Sequence, residues 1–545
     1  MFPYVEEQFT EAEEAVLRRY VTNLHLPVFA LVNLPEVVKG ALFARYSRSP
    51  KSLRRLFLDE FVGDLDITGD AGVDATVGLE RAEQLYEKVF VEYGDDSVAQ
   101  LGGVHLACEQ SSNVLSKVLE WGRLMAYLEQ STRYIAYNNR LDSGHYRYFR
   151  PAEILDSPYG ARYVGDMDRV FDTYGELLPA MHAWVASRFP QQAGDSDFVY
   201  RQATRAKALD ALRGLLPAAS LSNIGLYGTG QSYEQLLLRM RAHPLPEARG
   251  YAEMMLEELR KVIPSFLQRV DVAERGGEWT AYLAATRDDT ARVVARLWPE
   301  AAGPAPATDG APPAEVTLLD FDPDGEEKVL AAACFSHLGC SEHEAQARVR
   351  RLNHDEKVAL LAAYVGERRN RRHRPGRALE RTDYRFELVT DYGAFRDLQR
   401  HRILTIEWQR LGISLGYDMP DLVADAGLGE GYADAIARAE DLYRVLLPEF
   451  PEQASYAVAL AHRIRYVMQF NAREAMHLIE LRSGPQGHPA YRQVAQQMHR
   501  AIAEHAGHRA LADAMVFVDH GTTDLERLES ERRAERRRGE KSSTH

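Results

Sequence analysis

Two segments of the chain carry residue types that suit the recognition of an anion. In the second half Arg400, His401 and Arg402 stand side by side, and in the first half the run is Glu129-Gln130-Ser131-Thr132-Arg133-Tyr134. Adjacent cations suit phosphate oxygens held close together, as in a dinucleotide. A guanidinium offers a planar fork of donors to such oxygens, and charged groups are costly to bury unpaired. In the other run Ser131 and Arg133 could hold one phosphate while Glu129 or Gln130 reads polar edges. Each run also has a plainer reading: a solvated basic loop for the first, and a polar helix end with a serine cap for the second.

The two runs are parts of one motif present twice. Aligned without gaps, residues 121–134 match residues 400–413. The second copy keeps the basic head and the first keeps the tail. Trp121 and Gly122 replace the first Arg and the His, while Trp408, Arg410 and Gly412 replace the Glu, Ser and Arg. Further on, Arg239, Pro246, Arg249, Ala252 and Met255 keep the mutual spacing of Arg482, Pro489, Arg492, Ala495 and Met498. A repeat of this length means two domains rather than a solenoid of short units.

The elements that must position these residues are mostly helical. Residues 248–260, 431–447 and 490–505 place apolar side chains at helical spacing. Tyr384, Phe386 and Leu388 alternate with polar neighbours, which predicts a half-buried strand just before the second motif. The expected fold is α+β: two tandem domains, each helix-rich with a small mixed sheet. The first repeat is expected over 1–298 and the second over 319–525, separated by a Pro/Ala/Gly linker at 299–318 and followed by a charged tail at 526–545. With 545 residues the chain is too long for one core. Its 45% apolar and 27% charged residues are those of a globular protein. Three cysteines make no disulfide framework, and the N-terminus lacks a signal-peptide pattern, so the expected location is the cytoplasm. No run reaches the roughly 18 apolar residues of a membrane span. A net charge of −14 argues against broad nucleic-acid binding.

Taken together, the head at Arg400, His401 and Arg402 and the tail at Glu129, Ser131, Arg133 and Tyr134 resemble the signature of the flavin-dependent thymidylate synthases. Asn471, Arg473, His477, Leu481 and Arg482 match that family's later Asn-x-Arg-x-x-x-His-x-x-x-Leu-Arg pattern. Ala44-Arg45-Tyr46-Ser47 and Gly94–Gln100 extend the likeness upstream. The resemblance implies FAD contacts at Arg400, His401, Arg402, Asn471, Arg473 and His477, with Ser97 added. It implies nucleotide contacts at Glu129, Gln130, Ser131, Arg133 and Arg396, and a catalytic arginine at Arg482, Arg239 or both, polarising the uracil ring. The implied reaction is reductive methylation of dUMP to dTMP with methylenetetrahydrofolate and NADPH. A homodimer would form a pseudo-tetramer, with the head of one half and the tail of the other completing a site. Two alternatives stand beside it: a flavin enzyme for another pyrimidine nucleotide, and a non-catalytic scaffold that binds nucleotide or FAD.

Two other signals are weaker. Arg368, Arg369, Arg371, Arg372, Arg374 and Arg377 surround His373 and read as a cofactor-phosphate or solvated loop, since few aromatics are interleaved for base stacking. Cys334, His337, Cys340 and His343 have ligand types that suit zinc, but side chains spaced by three drift around a helix and do not converge, so no metal is expected.

Overall fold

The computed structural model describes residues 3–34, 39, 42–43, 46, 49–60, 103–193, 195–299 and 314–521. Ser97 with the rest of Gly94–Gln100, the positions Ala44, Arg45 and Ser47, linker residues 300–313 and the tail 526–545 lie outside them. The chain forms two compact units. Unit 1 is Met1–Leu177, Leu215–Pro306 and Glu430–Ala459; unit 2 is Leu178–Gly214, Ala307–Gly429 and Leu460–His545.

Unit 1 holds a four-stranded sheet of β1 (Val28–Leu31), β2 (Gly103–Ser112), β3 (Met125–Glu129) and β4 (Leu221–Thr229), ordered β1-β2-β4-β3. Helix α1 (Asn113–Leu119) follows β2, capped by Ser112. Helix α2 (Gly230–Arg241) leaves β4 through a Thr229 cap, and α3 (Pro246–Arg260) and α4 (Glu278–Leu297) follow. Unit 2 repeats the plan with β5 (Val316–Phe321), β6 (Asp383–Asp391), β7 (Thr405–Trp408) and β8 (Arg463–Asn471), ordered β5-β6-β8-β7. β5 thus begins within the stretch read as linker. The numbered helices here are α5 (Gly325–Leu338), α6 (Tyr392–Leu398), α7 (Ala472–Arg482) and α8 (Pro489–Glu504).

The α+β class with a small sheet in each half holds, and the register supports the motif alignment. Ala126 sits opposite Tyr227, and Thr405 sits opposite Gln469, so the two aligned positions enter equivalent sheets at equivalent places. Pro246 and Pro489 each open a helix, where a missing N–H costs nothing. One expectation is corrected: the sheets are not mixed, and all of their pairings are antiparallel. A parallel pair needs a crossover back to the same end, whereas antiparallel strands can leave one face solvated. β8 does so, alternating buried and half-exposed residues along its length. Tyr384, Phe386 and Leu388 in β6 are fully buried, as their alternation predicts. Among the described residues no helix is long and apolar enough to cross a membrane.

A buried carboxyl ties α3 to its surroundings in unit 1. Glu247 accepts from the Ser112 N–H at 2.8 Å, the Ser112 hydroxyl at 2.7 Å and the Tyr456 hydroxyl at 2.7 Å. Burial outweighs these donors and raises its pKa from 4.5 to about 7. Between those values the folded state holds the proton that the unfolded state has released. Stability should therefore fall as pH rises from 4.5 to about 7, by up to about 3 kcal/mol. Urea midpoints taken from pH 5 to 8 should show this slope, and Glu247→Gln should remove most of it; equal slopes would refute the assignment.

Candidate functional site

In unit 2 the basic head lies on the turn between α6 and β7. Asp391 caps α6 by accepting from the Ala394 N–H at 2.9 Å. Asn471 caps α7 by accepting from the Glu474 N–H at 2.9 Å. This cap fixes the first turn of α7 and aims Glu474 at the head. The Glu474 carboxylate lies 2.8 Å from His401 Nδ1 and 3.3 Å from His477 Nδ1. From the other side Arg482 Nε donates to His401 Nε2 at 3.0 Å. An arginine can only donate, so Nε2 accepts and the His401 proton resides on Nδ1, directed at Glu474. Burial pushes His401 down to about 4, and it is neutral at pH 7. Burial also pushes Glu474 up, but the two histidine hydrogen bonds together hold it down at about 2, so it is ionised.

His401, Glu474 and His477 have the residue types of a metal site, with candidate ligand atoms within 4.8 Å of one another. The hydrogen-bond directions decide against that reading. A metal on Nδ1 would move the proton to Nε2, where it would meet the Arg482 N–H head-on. The arrangement is a hydrogen-bonded relay from Glu474 through His401 to Arg482. Arg482 is held further by the Asp397 backbone carbonyl and lies 5.4 Å from the centre of the Tyr491 ring. Burial lowers its pKa. Arg400 pairs with the Asp397 carboxylate, which also lies 3.6 Å from Arg213. Arg473 donates to the Pro375 carbonyl at 3.0 Å and to Glu380 at 3.3 Å. Arg402 is exposed and Arg396 is buried.

In unit 1 the same framework holds a different set. The Arg239 guanidinium lies 4.9 Å from the centre of the Trp121 ring. Trp121 occupies the motif position of Arg400, and Arg239 that of Arg482. A Cβ at Gly122 would lie 3.7 Å from Arg239 but only 2.6 Å from the Tyr127 hydroxyl. Tyr127, which donates to the Gly122 carbonyl at 2.8 Å, would have to shift its hydroxyl to admit a side chain there. The two arginines meet the same motif position, although Arg482 lies one residue farther from its helix cap. Burial lowers the Arg239 pKa, and its Nε is buried without a hydrogen-bond partner. No carboxylate pairs with Arg239 among the described residues, and Tyr127 is the one charged or titratable neighbour that acts on it.

The tail divides into held and presented residues. Glu129 is buried with Lys117 at 3.2 Å, and Lys117 also pairs with Glu120. Gln130 donates to the Ser49 carbonyl at 2.6 Å and accepts from Arg147 at 3.1 Å. Both Glu129 and Gln130 therefore serve the interior. Ser131 Oγ accepts from the Arg133 N–H at 3.3 Å and remains half-buried, beside an exposed Tyr134. Sequence reasoning missed Glu474, Asp397, Tyr127, and the Lys117 and Glu120 that accompany Glu129. For Glu474 a signal existed, since Asn471-x-x-Glu474 has the spacing of a helix-capping pattern. The zinc-type residues do not form a group: Cys334 and His337 lie on α5, Cys340 follows the left-handed Gly339, and His343 lies in the first turn of the next helix.

A duplicated α+β unit with this motif in each copy defines a class, and the comparisons identify it. Residues 48–265 and 317–506 match the family model of thymidylate synthase complementing protein. The chain belongs to that family. It is 38% identical to a UPF0159 protein of Chlamydia muridarum, covering 97% of this chain and 99% of the relative. A UPF0159 protein of Chlamydia pneumoniae is also 38% identical, with the same coverage, and one of Thermoplasma acidophilum is 34% identical over 90% of this chain and 97% of the relative. The crystal structure of a UMP/dUMP methylase PolB from Streptomyces cacaoi bound with 5-Br dUMP is 20% identical and covers 36% of this chain and 94% of that one. Its TM-score of 0.31 is too low to carry an argument.

Proposed function

We propose that this chain is a flavin-dependent thymidylate synthase that methylates dUMP reductively, with methylenetetrahydrofolate as carbon donor and NADPH as reductant. Family membership across both halves supports the reaction class. The observation that carries the reading is Arg239: a desolvated guanidinium stacked on Trp121, with no carboxylate to neutralise it among the described residues. Such a group suits the O2/N3 edge of a uracil, where negative charge develops when C6 accepts hydride. Arg133 and Ser131 would hold the nucleotide phosphate. Arg482, occupied by His401 and Asp397, would serve to keep the unit 2 head in place.

For FAD the donor set of unit 2 fits in part. Arg402 is exposed and Arg400 half-exposed on one turn, with Arg473 also reaching the surface, and three such cations suit a diphosphate. His401 is buried and the half-exposed Asn471 caps α7, so contacting FAD would cost them the relay and the helix cap. Arg400, Arg402 and Arg473 would therefore hold the cofactor. When bound, the flavin supplies the hydride for the methylated base.

The test begins with the visible absorption spectrum of the purified chain, with and without added FAD. Flavin bands that weaken in Arg402→Glu, together with dTMP formed from dUMP, methylenetetrahydrofolate and NADPH, are the expected result. A chain that takes up no FAD and forms no dTMP would overturn the proposal. It would favour a non-catalytic member of the family, a reading that gains some support from the internal engagement of Glu129, Gln130 and Arg482.

A further inference from the structure

Helix α4 has 20 residues and buries none of them. Helices in water draw most of their stability from packing an apolar face, so a long helix without one buried residue is unusual. Its apolar residues are not scattered. Trp279, Tyr282, Val293, Val294 and Leu297 recur at helical spacing along one stripe, with Trp298 at its end. Trp279 is 50% exposed, Tyr282 64% and Leu297 56%. The helix leans on unit 1 by the flank beside the stripe, where Leu283 is half-buried and Arg287 donates to the Ala242 carbonyl. The whole of α4 lies between the two segments matched by the family model.

The charges beside the stripe are arranged by end. Glu278 stands at the N-terminal end and Arg296 at the C-terminal end, about five turns apart and hence on the same edge. Asp289 and Arg292, which lie between these ends, pair with each other within the helix at 2.7 Å, which leaves the two end charges for a partner. A helix with acid at one end and base at the other along one edge is complementary to itself when turned end for end. We propose that α4 pairs antiparallel with α4 of a second copy of this chain, about a twofold axis. Glu278 of each copy then meets Arg296 of the other. Trp279 and Tyr282 of each lie over Val293, Val294 and Leu297 of the other. Covering two tryptophans, a tyrosine and three aliphatic residues per copy removes on the order of 1,200 Å² in total, the lower end of specific interfaces. The inference does not depend on the proposed activity.

Sedimentation velocity of the full chain tests it. The natural chain should sediment as a dimer or a multiple of one. The double substitution Val294→Glu with Leu297→Glu should halve that mass while leaving the melting temperature unchanged, because both positions are exposed. Glu278→Arg alone should weaken the association about tenfold, and adding Arg296→Glu should restore it. A natural chain that is monomeric at every concentration would overturn the proposal, as would a mass unchanged by the double substitution. So would hydrogen exchange showing α4 protected in a monomer, since other parts of the chain would then cover the stripe.

Discussion

Replacing Arg239 by lysine should lower turnover on dUMP by roughly 100-fold while moving the melting temperature little. Three features lead to this expectation. The guanidinium is stacked on Trp121, a contact that a flat, delocalised cation makes well and an ammonium makes poorly. It is desolvated, which strengthens its hold on charge developing at a ring oxygen. It has no carboxylate partner among the described residues, so the substitution breaks no ion pair. Lysine keeps the charge but loses the planar fork that would grip two atoms of a uracil edge at once. Steady-state rates of dTMP formation, with dUMP binding followed by calorimetry, measure the effect. The equivalent Arg482→Lys should act mainly on stability, because Arg482 is fixed by His401 and Asp397. Full activity in Arg239→Lys with activity lost in Arg482→Lys would move the working arginine to unit 2.

Replacing Glu480 by leucine should cost about 3–5 kcal/mol of folding stability. Glu480 lies on α7, and its two carboxylate oxygens accept from Arg368 at 2.5 and 2.6 Å. Neither side chain is more than 3% exposed. Arg368 also donates to the backbone carbonyls of His373 and Ala514. Without the carboxylate a guanidinium stays buried with only carbonyls to face. A double replacement, Arg368→Met with Glu480→Leu, should recover most of the loss, since an apolar pair of similar size removes both charges together. Urea unfolding of the three variants measures it. A loss below about 1 kcal/mol in the single variant would show that water reaches the pair.

That ion pair corrects the reading of the arginine-rich stretch as a cofactor-phosphate or solvated loop at Arg368, while the other five arginines are exposed. Arg368 is a structural residue, and Arg377 pairs with Glu380. The remaining arginines, Arg369, Arg371, Arg372 and Arg374, are exposed. Composition cannot separate these fates. Arg368 differs from Arg369 only in which way the chain turns it, and its partner lies 112 positions away.

The sequence by itself determined the duplication, the α+β class and the family, because these rest on spacing along the chain. Strand alternation at Tyr384, Phe386 and Leu388, the prolines that open α3 and α8, and the gap-free match of the two motifs are all local patterns. Local patterns survive folding unchanged, and so the register of the two sheets agrees with the alignment. Only the tertiary structure decided which motif residues face a ligand and which face a neighbour. Gln130 was read as a ligand contact, yet its side chain bonds Ser49, 81 positions away. Arg239 and Arg482 are aligned, yet one stacks on Trp121 and the other donates to His401. A polar side chain makes the same hydrogen bonds to either kind of partner. Its role is therefore set by what the fold brings within about 3 Å of it, which spacing along the chain does not encode.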